Sequence, residues 1–278
     1  MLHCLTIDAD WIPGSGPGLE RIYEVLERRR MTATLFVTGQ FALHYPELIK
    51  EAVRRGYDVG THGWLHGVDP TENFRTAPYD AQRRWIELST QAIEHVSGVR
   101  PVAFRAPNLW VSETTLRALE HCGYRYDSSV PARRFDFGIG QVSSPRYFHA
   151  PVVAYHPARD NLALRGDSPI IEVPPSAFFL PANMSSLRML GLGAVRWMIR
   201  RVRTATPLLV SYVHPVEFEE FAKMEMPQGV PKRYKSGLGP QNIFLLEALI
   251  DYADELGYRS ARISEAASTV SNAESIIK

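Results

Sequence analysis

Cysteine is nearly absent: the 278 residues hold two, Cys4 and Cys122. No disulfide framework can be built, so the chain must rely on a buried core, and two free thiols fit a reducing compartment. Excess charge is missing too. Lys and Arg number 31 against 30 Asp and Glu, which argues against nucleic acid as the main partner. Long apolar runs are lacking. The nearest, residues 177–199, is interrupted by Pro181, Asn183, Arg188 and Arg196, so no membrane span is expected. The opening MLHCLTIDAD has no basic start, no long apolar stretch and no small-residue cleavage site. The expectation is therefore a cytoplasmic protein, with the inner membrane face as a variant. Repeats and low-complexity blocks are absent as well.

What is present is ample apolar material, 45% of the chain, enough for one large α/β domain. Strand and helix signals alternate. HCLTID reads as a buried strand and residues 18–30 as a helix with Leu19, Ile22, Tyr23 and Leu26 on one face. A strand at 33–39, a helix at 45–56, a short strand at YDVGTHG, a helix at 76–98 and a strand at 102–107 follow. The helix at 112–123 opens on a capping signature, Ser112 with Thr115, and ends in glycine. Residues 131–175 are irregular, rich in Pro, Arg and aromatics. Regular signals return at 170–176, 208–215 and 240–257, and a last strand and short helix close the pattern. Such alternation suggests a parallel sheet or an α/β barrel, with chemistry where strands end.

Four clusters stand at such ends. Asp8 and Asp10 lie two apart, so on a strand they share a face and need a cation beside them. His62 and His66 have H-x3-H spacing, which suits a divalent metal and, with a strand-end carboxylate, makes an open His2Asp site. Arg105 leaves an apolar strand before Pro107 and could hold a carboxylate ionised, or could be a surface charge. His214 ends the apolar strand LLVSYVHP and is a candidate general acid, with His156 in VVAYHP a competitor. Read singly, each cluster also has an ordinary explanation as a cap, a solvated charge or a core histidine. Taken in order they supply a metal site, a base with an Arg partner, and an acid. That equipment serves metal-assisted hydrolysis of an amide or ester.

The order D-x-D, H-x3-H, R-x-P, Y-D-S-S, H-P resembles the polysaccharide deacetylases, the NodB-homology or carbohydrate esterase 4 family, from about residue 3 to 266. The resemblance implies a distorted (β/α)7 barrel, one catalytic domain over 1–268 with long loops at the active-site end and a polar tail at 269–278. It implies a divalent ion, Zn2+ foremost with Co2+, Ni2+ or Mn2+ as alternatives, and N-deacetylation of an N-acetyl sugar with release of acetate. By the family's motifs Asp8 would be the base, Asp10, His62 and His66 the metal ligands, Arg105 the tether of Asp8 and His214 the acid. Asp127 would orient His214, with Glu172 its rival. The backbone N–H of Asn108 would help the metal stabilise the oxyanion. Trp11 and Trp64 are candidate substrate contacts. Three positions depart from the family's usual form. Ala9 separates an Asp pair that is commonly adjacent, which leaves open which Asp is base. Asn108 stands where a Tyr is usual, and YDSSV lacks a Trp. A deformylase, a cyclic-amide hydrolase and an inactive sugar-binding barrel are the other readings.

Two further stretches carry expectations. The basic, aromatic segments 131–159 and 231–237 could read phosphate or carboxylate on a substrate, or be solvated loops. Residues 185–203 look amphipathic, with Leu187, Leu190, Ala194 and Trp197/Met198 at helical spacing beside Arg188, Arg196, Arg200, Arg201 and Arg203. That pattern suits a helix packed on the core, or one making peripheral contact with an anionic membrane surface.

Overall fold

The structure is a computed structural model that describes residues 1–66, 72–135, 145–225 and 235–276. Residues 231–234 of the basic segment 231–237, and 136–144 of the segment 131–159, lie outside the described residues.

β1 (Leu2–Ala9) leads through α1 (Gly16–Arg28) to β2 (Thr34–Val37). α2 (Gly39–His44) and α3 (Pro46–Arg54) precede β3 (Asp58–Thr61). α4 (Tyr79–Ser97) then leads to β4 (Ala103–Phe104), and α5 (Glu113–His121) to β5 (Tyr126–Asp127). A hairpin of β6 (Pro157–Ala158) and β7 (Asn161–Arg165), β8 (Ile171–Glu172), and a second hairpin of β9 (Ala177–Phe178) and β10 (Leu180–Pro181) follow. The chain ends with α6 (Met184–Ala205), β11 (Leu208–Val213), α7 (Ile243–Glu255), β12 (Arg259–Ser260) and α8 (Ile263–Ile276).

The strands pair in the order β11-β1-β2-β3-β4-β5-β8, all parallel, with β12 beside the start of β1. These are the seven staves of a distorted (β/α)7 barrel. The gap between β8 and β11 is spanned without a regular ladder. Pro174 and Pro175 follow β8 and cannot donate ladder hydrogen bonds. Ser176 restores the contact: its N–H donates to the Val210 carbonyl at 2.9 Å, and its hydroxyl accepts from the Val210 N–H.

Alternation along the staves sets two packing layers. Leu5, Ile7 and Ala9 face outward to α1, α2, α3, α6 and α7, while Cys4, Phe36, Val173 and Val210 pack inside with Ile263, Ala266 and Ala267 of α8. Asp8 follows Cys4 and Thr6 at the same parity, so it points into the barrel near its mouth.

Some expectations shift at their edges. The capping box of Ser112 and Thr115 forms as read. α2 had no separate signal; Thr38 caps it, accepting from the Phe41 N–H. The strand expected at 170–176 shortens to Ile171–Glu172 because the prolines end its pairing. The segment 269–278, read as a polar tail, carries the last turns of α8 to Ile276.

Candidate metal centre and active site

The β1 end holds both aspartates. Asp8 is almost fully buried, and its Oδ1 accepts from Arg105 Nη1 at 2.8 Å. Arg105, just past β4, is fully buried inside the barrel. It also donates from Nη1 to the Thr6 hydroxyl, from Nε to the Ser128 carbonyl at 2.9 Å and from Nη2 to the Ser128 hydroxyl at 2.7 Å. Its guanidinium lies 4.4 Å from the Phe36 ring centroid. A buried guanidinium is tolerable only when its donors and charge are satisfied in this way. The alternative of a surface charge at Arg105 is thus excluded.

Asp10 stands two residues on, beyond the strand. Its Oδ1 lies 3.4 Å from His62 Nε2 and its Oδ2 lies 3.8 Å from His66 Nε2. Together these three residues offer ligand atoms all within 4.8 Å of one another. Asp10 Oδ1 is buried without a hydrogen-bond partner among the described residues, a deficit that a cation would make good. His62 Nδ1 faces the Arg105 carbonyl at 2.8 Å. An N–H donated there leaves Nε2 as the lone-pair nitrogen turned to Asp10. The donor set, two imidazoles and one carboxylate, fits a divalent ion such as zinc.

The electrostatics fit as well. Burial alone would raise the Asp10 carboxyl, but His66, His62 and His214 outweigh it and hold the group below the carboxylate range. Burial lowers His66 to about 4, so it is neutral near pH 7. Burial also lowers His62, yet Asp10, Asp8 and the Arg105 carbonyl carry it upward. The site draws positive charge to the point where the three ligands converge.

The loop from His62 to His66 is braced by Glu72, a residue the sequence reading did not single out. Its nearly buried carboxylate accepts the Trp64 N–H at 2.5 Å and the Leu65 N–H at 2.6 Å. Gly63 lies under it with φ +81, and a Cβ there would stand 2.6 Å from Glu72 Oε1. Trp64, a candidate substrate contact, is half-buried with its ring against Gly39 at the start of α2; a Cβ on Gly39 would come within 2.3 Å of it. Trp11 is half-buried beside His44, ring centroids 4.1 Å apart, and its backbone N–H donates to the His66 carbonyl at 3.0 Å.

His214 follows β11. Its ring Nδ1 lies 3.2 Å from Glu217 Oε2, which also accepts the His214 backbone N–H at 2.9 Å. Glu217 is buried and is held in turn by Ser185 at 2.9 Å and Arg188 at 3.2 Å, both from α6. Burial pulls His214 down, but the Glu217 hydrogen bond and charge lift it to about 9, with Asp10 and Asp8 adding to the lift. It is therefore protonated at neutral pH.

This corrects one expectation. Neither Asp127 nor Glu172 is hydrogen-bonded to His214; Glu217 occupies that place. Asp127 and Glu172 are register partners on β5 and β8. Glu172 accepts the Ser129 and Val130 N–H groups, and Asp127 accepts from the Ser129 hydroxyl. Burial raises both, Asp127 to about 6 and Glu172 well above its ordinary value, and the neighbouring Asp127 charge lifts Glu172 further. The sign of Glu217 was present in H-P-V-E. Pro215 turns the chain into a 3-10 helix, and the residue three on folds back onto His214. His156, the competing acid, has Nδ1 2.8 Å from the Ser168 carbonyl and 3.1 Å from that of Ile170, in the β6 region.

Asn108 sits in a left-handed backbone conformation, φ 54 and ψ 15, in the turn directly after Arg105. Its N–H has no acceptor among the described residues, as an oxyanion donor requires.

Residues 3–126 match the family model described as polysaccharide deacetylase. A peptidoglycan-N-acetylmuramic acid deacetylase of Bacillus subtilis is 29% identical over 122 residues, covering 44% of this chain and 43% of that one. The chain spans roughly two fifths of the length of the curated relatives it matches. Among solved structures, one named for a polysaccharide deacetylase of Mycobacterium smegmatis superposes with TM-score 0.64 at 21% identity, covering 98% of this chain and 91% of that one. A carbohydrate esterase 4 family pseudoenzyme from Bacillus anthracis superposes with TM-score 0.58 at 15% identity, covering 96% and 65%. At these identities the structures speak for the fold alone. The match over residues 3–126, a little under half of the chain, makes that part of it similar to the polysaccharide deacetylase family.

Proposed function

We propose that the protein is a metal-dependent hydrolase that removes the N-acetyl group from an N-acetylated amino sugar and releases acetate. The observation that carries this reading is the separation of two carboxylates by partner at one strand end. Asp8 is paired to buried Arg105, while Asp10 converges with His62 and His66. A divalent ion held by Asp10, His62 and His66, zinc foremost, would supply Lewis acidity, polarising the acyl carbonyl and acidifying the attacking water. Asp8 takes the proton of that water. Arg105 engages its Oδ1, leaving Oδ2 to accept. The Asn108 N–H donates to the oxygen that gains charge as the tetrahedral centre forms. His214, protonated by virtue of Glu217, gives its proton to the amide nitrogen, without which an amine does not depart. The sugar's amine and acetate result.

The buried free thiols Cys4 and Cys122 support a reducing compartment, and no described helix is long and apolar enough to cross a membrane. A catalytically silent sugar-binding barrel is the second reading, prompted by the pseudoenzyme of the same fold. The filled roles of Asp8, Arg105, Asp10, His62, His66 and His214 favour the enzyme.

The test is an acetate-release screen over nucleotide-, lipid- and oligomer-linked N-acetyl sugars with added zinc, run beside formyl and cyclic amides. Acetate release that Asp8→Asn abolishes while metal content holds supports the assignment. Loss of metal in Asp8→Asn would mean the two aspartates are exchanged. Turnover of formyl or cyclic amides alone would overturn the acyl group.

A further inference from the structure

We propose that the face formed by α6 and the β9–β10 turn docks on an anionic phospholipid bilayer. α6 carries Arg188, Arg196, Arg200, Arg201 and Arg203 and no acidic residue. Its core side is Leu187, Val195, Met198, Ile199 and Val202, all buried. Of the apolar residues read as one stripe, Leu187 and Met198 are therefore core, whereas Leu190 and Trp197 are on the outside. Met189, Leu190 and Trp197 are 49%, 47% and 48% exposed. Gly191, at φ 78 and ψ 168, kinks the helix just after the first two of these.

The exposed apolar surface is continuous beyond the helix. The Phe178 ring meets Trp197 edge-on at 5.2 Å and Phe179 at 4.9 Å, and Phe179 is itself exposed. Cations border this strip. The Arg201 guanidinium lies 5.6 Å from the Trp197 ring. Arg196 and Arg200 are spent on Tyr252 of α7, one over its ring and one donating to its hydroxyl at 2.6 Å. Arg201, Arg203 and Arg133 are exposed and have no carboxylate partner among the described residues. Between them lies a cavity of about 150 Å³ lined by Arg133, Arg201, Phe178 and Val202 with Pro174 and Pro175, room for the phosphate of a lipid headgroup.

Charge selects the occupant. Two copies meeting across a two-fold on this face would set Arg201 and Arg203 against themselves. An anionic bilayer answers both demands: acyl boundary for Trp197, Leu190 and Met189, phosphate for the arginines. The first turn of the same helix supplies Ser185 and Arg188 to Glu217, so the docked helix begins beside the catalytic cleft.

The full chain should sediment with vesicles of phosphatidylcholine containing phosphatidylglycerol, and not with phosphatidylcholine alone. Binding should fall with salt, and tryptophan emission should shift to the blue. Trp197→Ser, and Arg201→Glu with Arg203→Glu, should each weaken binding by roughly tenfold or more while keeping the parent melting temperature. Phe244→Ser, which removes an exposed ring 74% accessible on α7, should leave binding unchanged. Failure to bind the anionic vesicles, or binding that both α6 variants retain, overturns the proposal. So does a dimer in solution that Trp197→Ser dissociates without any vesicle binding. None of these readouts requires the deacetylase reading to hold.

Discussion

Glu217 grips His214 twice, by backbone N–H and by ring, and that grip keeps the imidazole charged, as the acid role we propose for it requires. Replacing it by Gln in Glu217→Gln removes the charge and keeps the shape. The upper limb of the pH dependence of kcat/KM should move from about 9 towards the ordinary histidine value of about 6.5. Activity at pH 8 should fall much more than activity at pH 6. The folded-state pKa is raised, so the stabilisation from the charged pair is complete below about 6.5. It is lost as pH rises through about 9. Thermal melts across that window should show the slope in the parent and not in Glu217→Gln. Arg105 offers a second test at this scale. Arg105→Met leaves Asp8 buried and uncompensated, which should cost about 3–5 kcal/mol in denaturant unfolding, and Asp8→Asn in the same chain should restore part of it.

At the scale of elements, the metal loop is a short irregular link after β3 whose shape depends on a residue outside it. Glu72 accepts two consecutive N–H groups from that loop, doing for it what a ladder does for a strand. Glu72→Ala should leave the barrel folded and weaken metal affinity by roughly 10–100-fold, as loss of an outer-shell support does. Competition with a chelator of known affinity measures it, and unchanged affinity would show that His62 and His66 hold their places unaided. H-x3-H was readable in the sequence as a ligand pair because its spacing is local. Glu72 was not, since a lone Glu beyond an irregular stretch carries no periodic or spacing signal.

For the whole molecule, Asp10 comes from just past β1 and the two histidines from the loop after β3, with β2 between the two strands. A cation bound by all three ties staves together and binds the folded state alone. Zinc at about one hundred times its Kd should therefore stabilise the protein by about 2.7 kcal/mol, seen as a higher melting temperature that a chelator reverses. Asp10→Asn should abolish the shift. A shift that survives in Asp10→Asn would remove Asp10 from the ligand set.

The strand–helix alternation, the core-facing stripe of Leu19, Ile22, Tyr23 and Leu26, and the capping box of Ser112 were legible because each depends on neighbours within a few residues. The convergence of Asp10, His62 and His66 and the pairing of Asp8 with Arg105 were legible as ordered motifs, through the family they resemble. Which carboxylate meets which partner was decided by depth along the barrel: Asp8, still on β1, lies beside buried Arg105, and Asp10, past the strand's end, lies beside His62 and His66. Asp127 and Glu172 were misjudged as partners of His214 because parallel register pairs them with each other instead. Pro174 and Pro175, visible in the sequence, acquired their meaning only where β8 fails to reach β11. Leu190 and Trp197 shared a helical stripe with Leu187 and Met198 on paper. The kink at Gly191 and the position of α7 determined which of them the core covers, since burial depends on what packs across a helix and not on the helix itself.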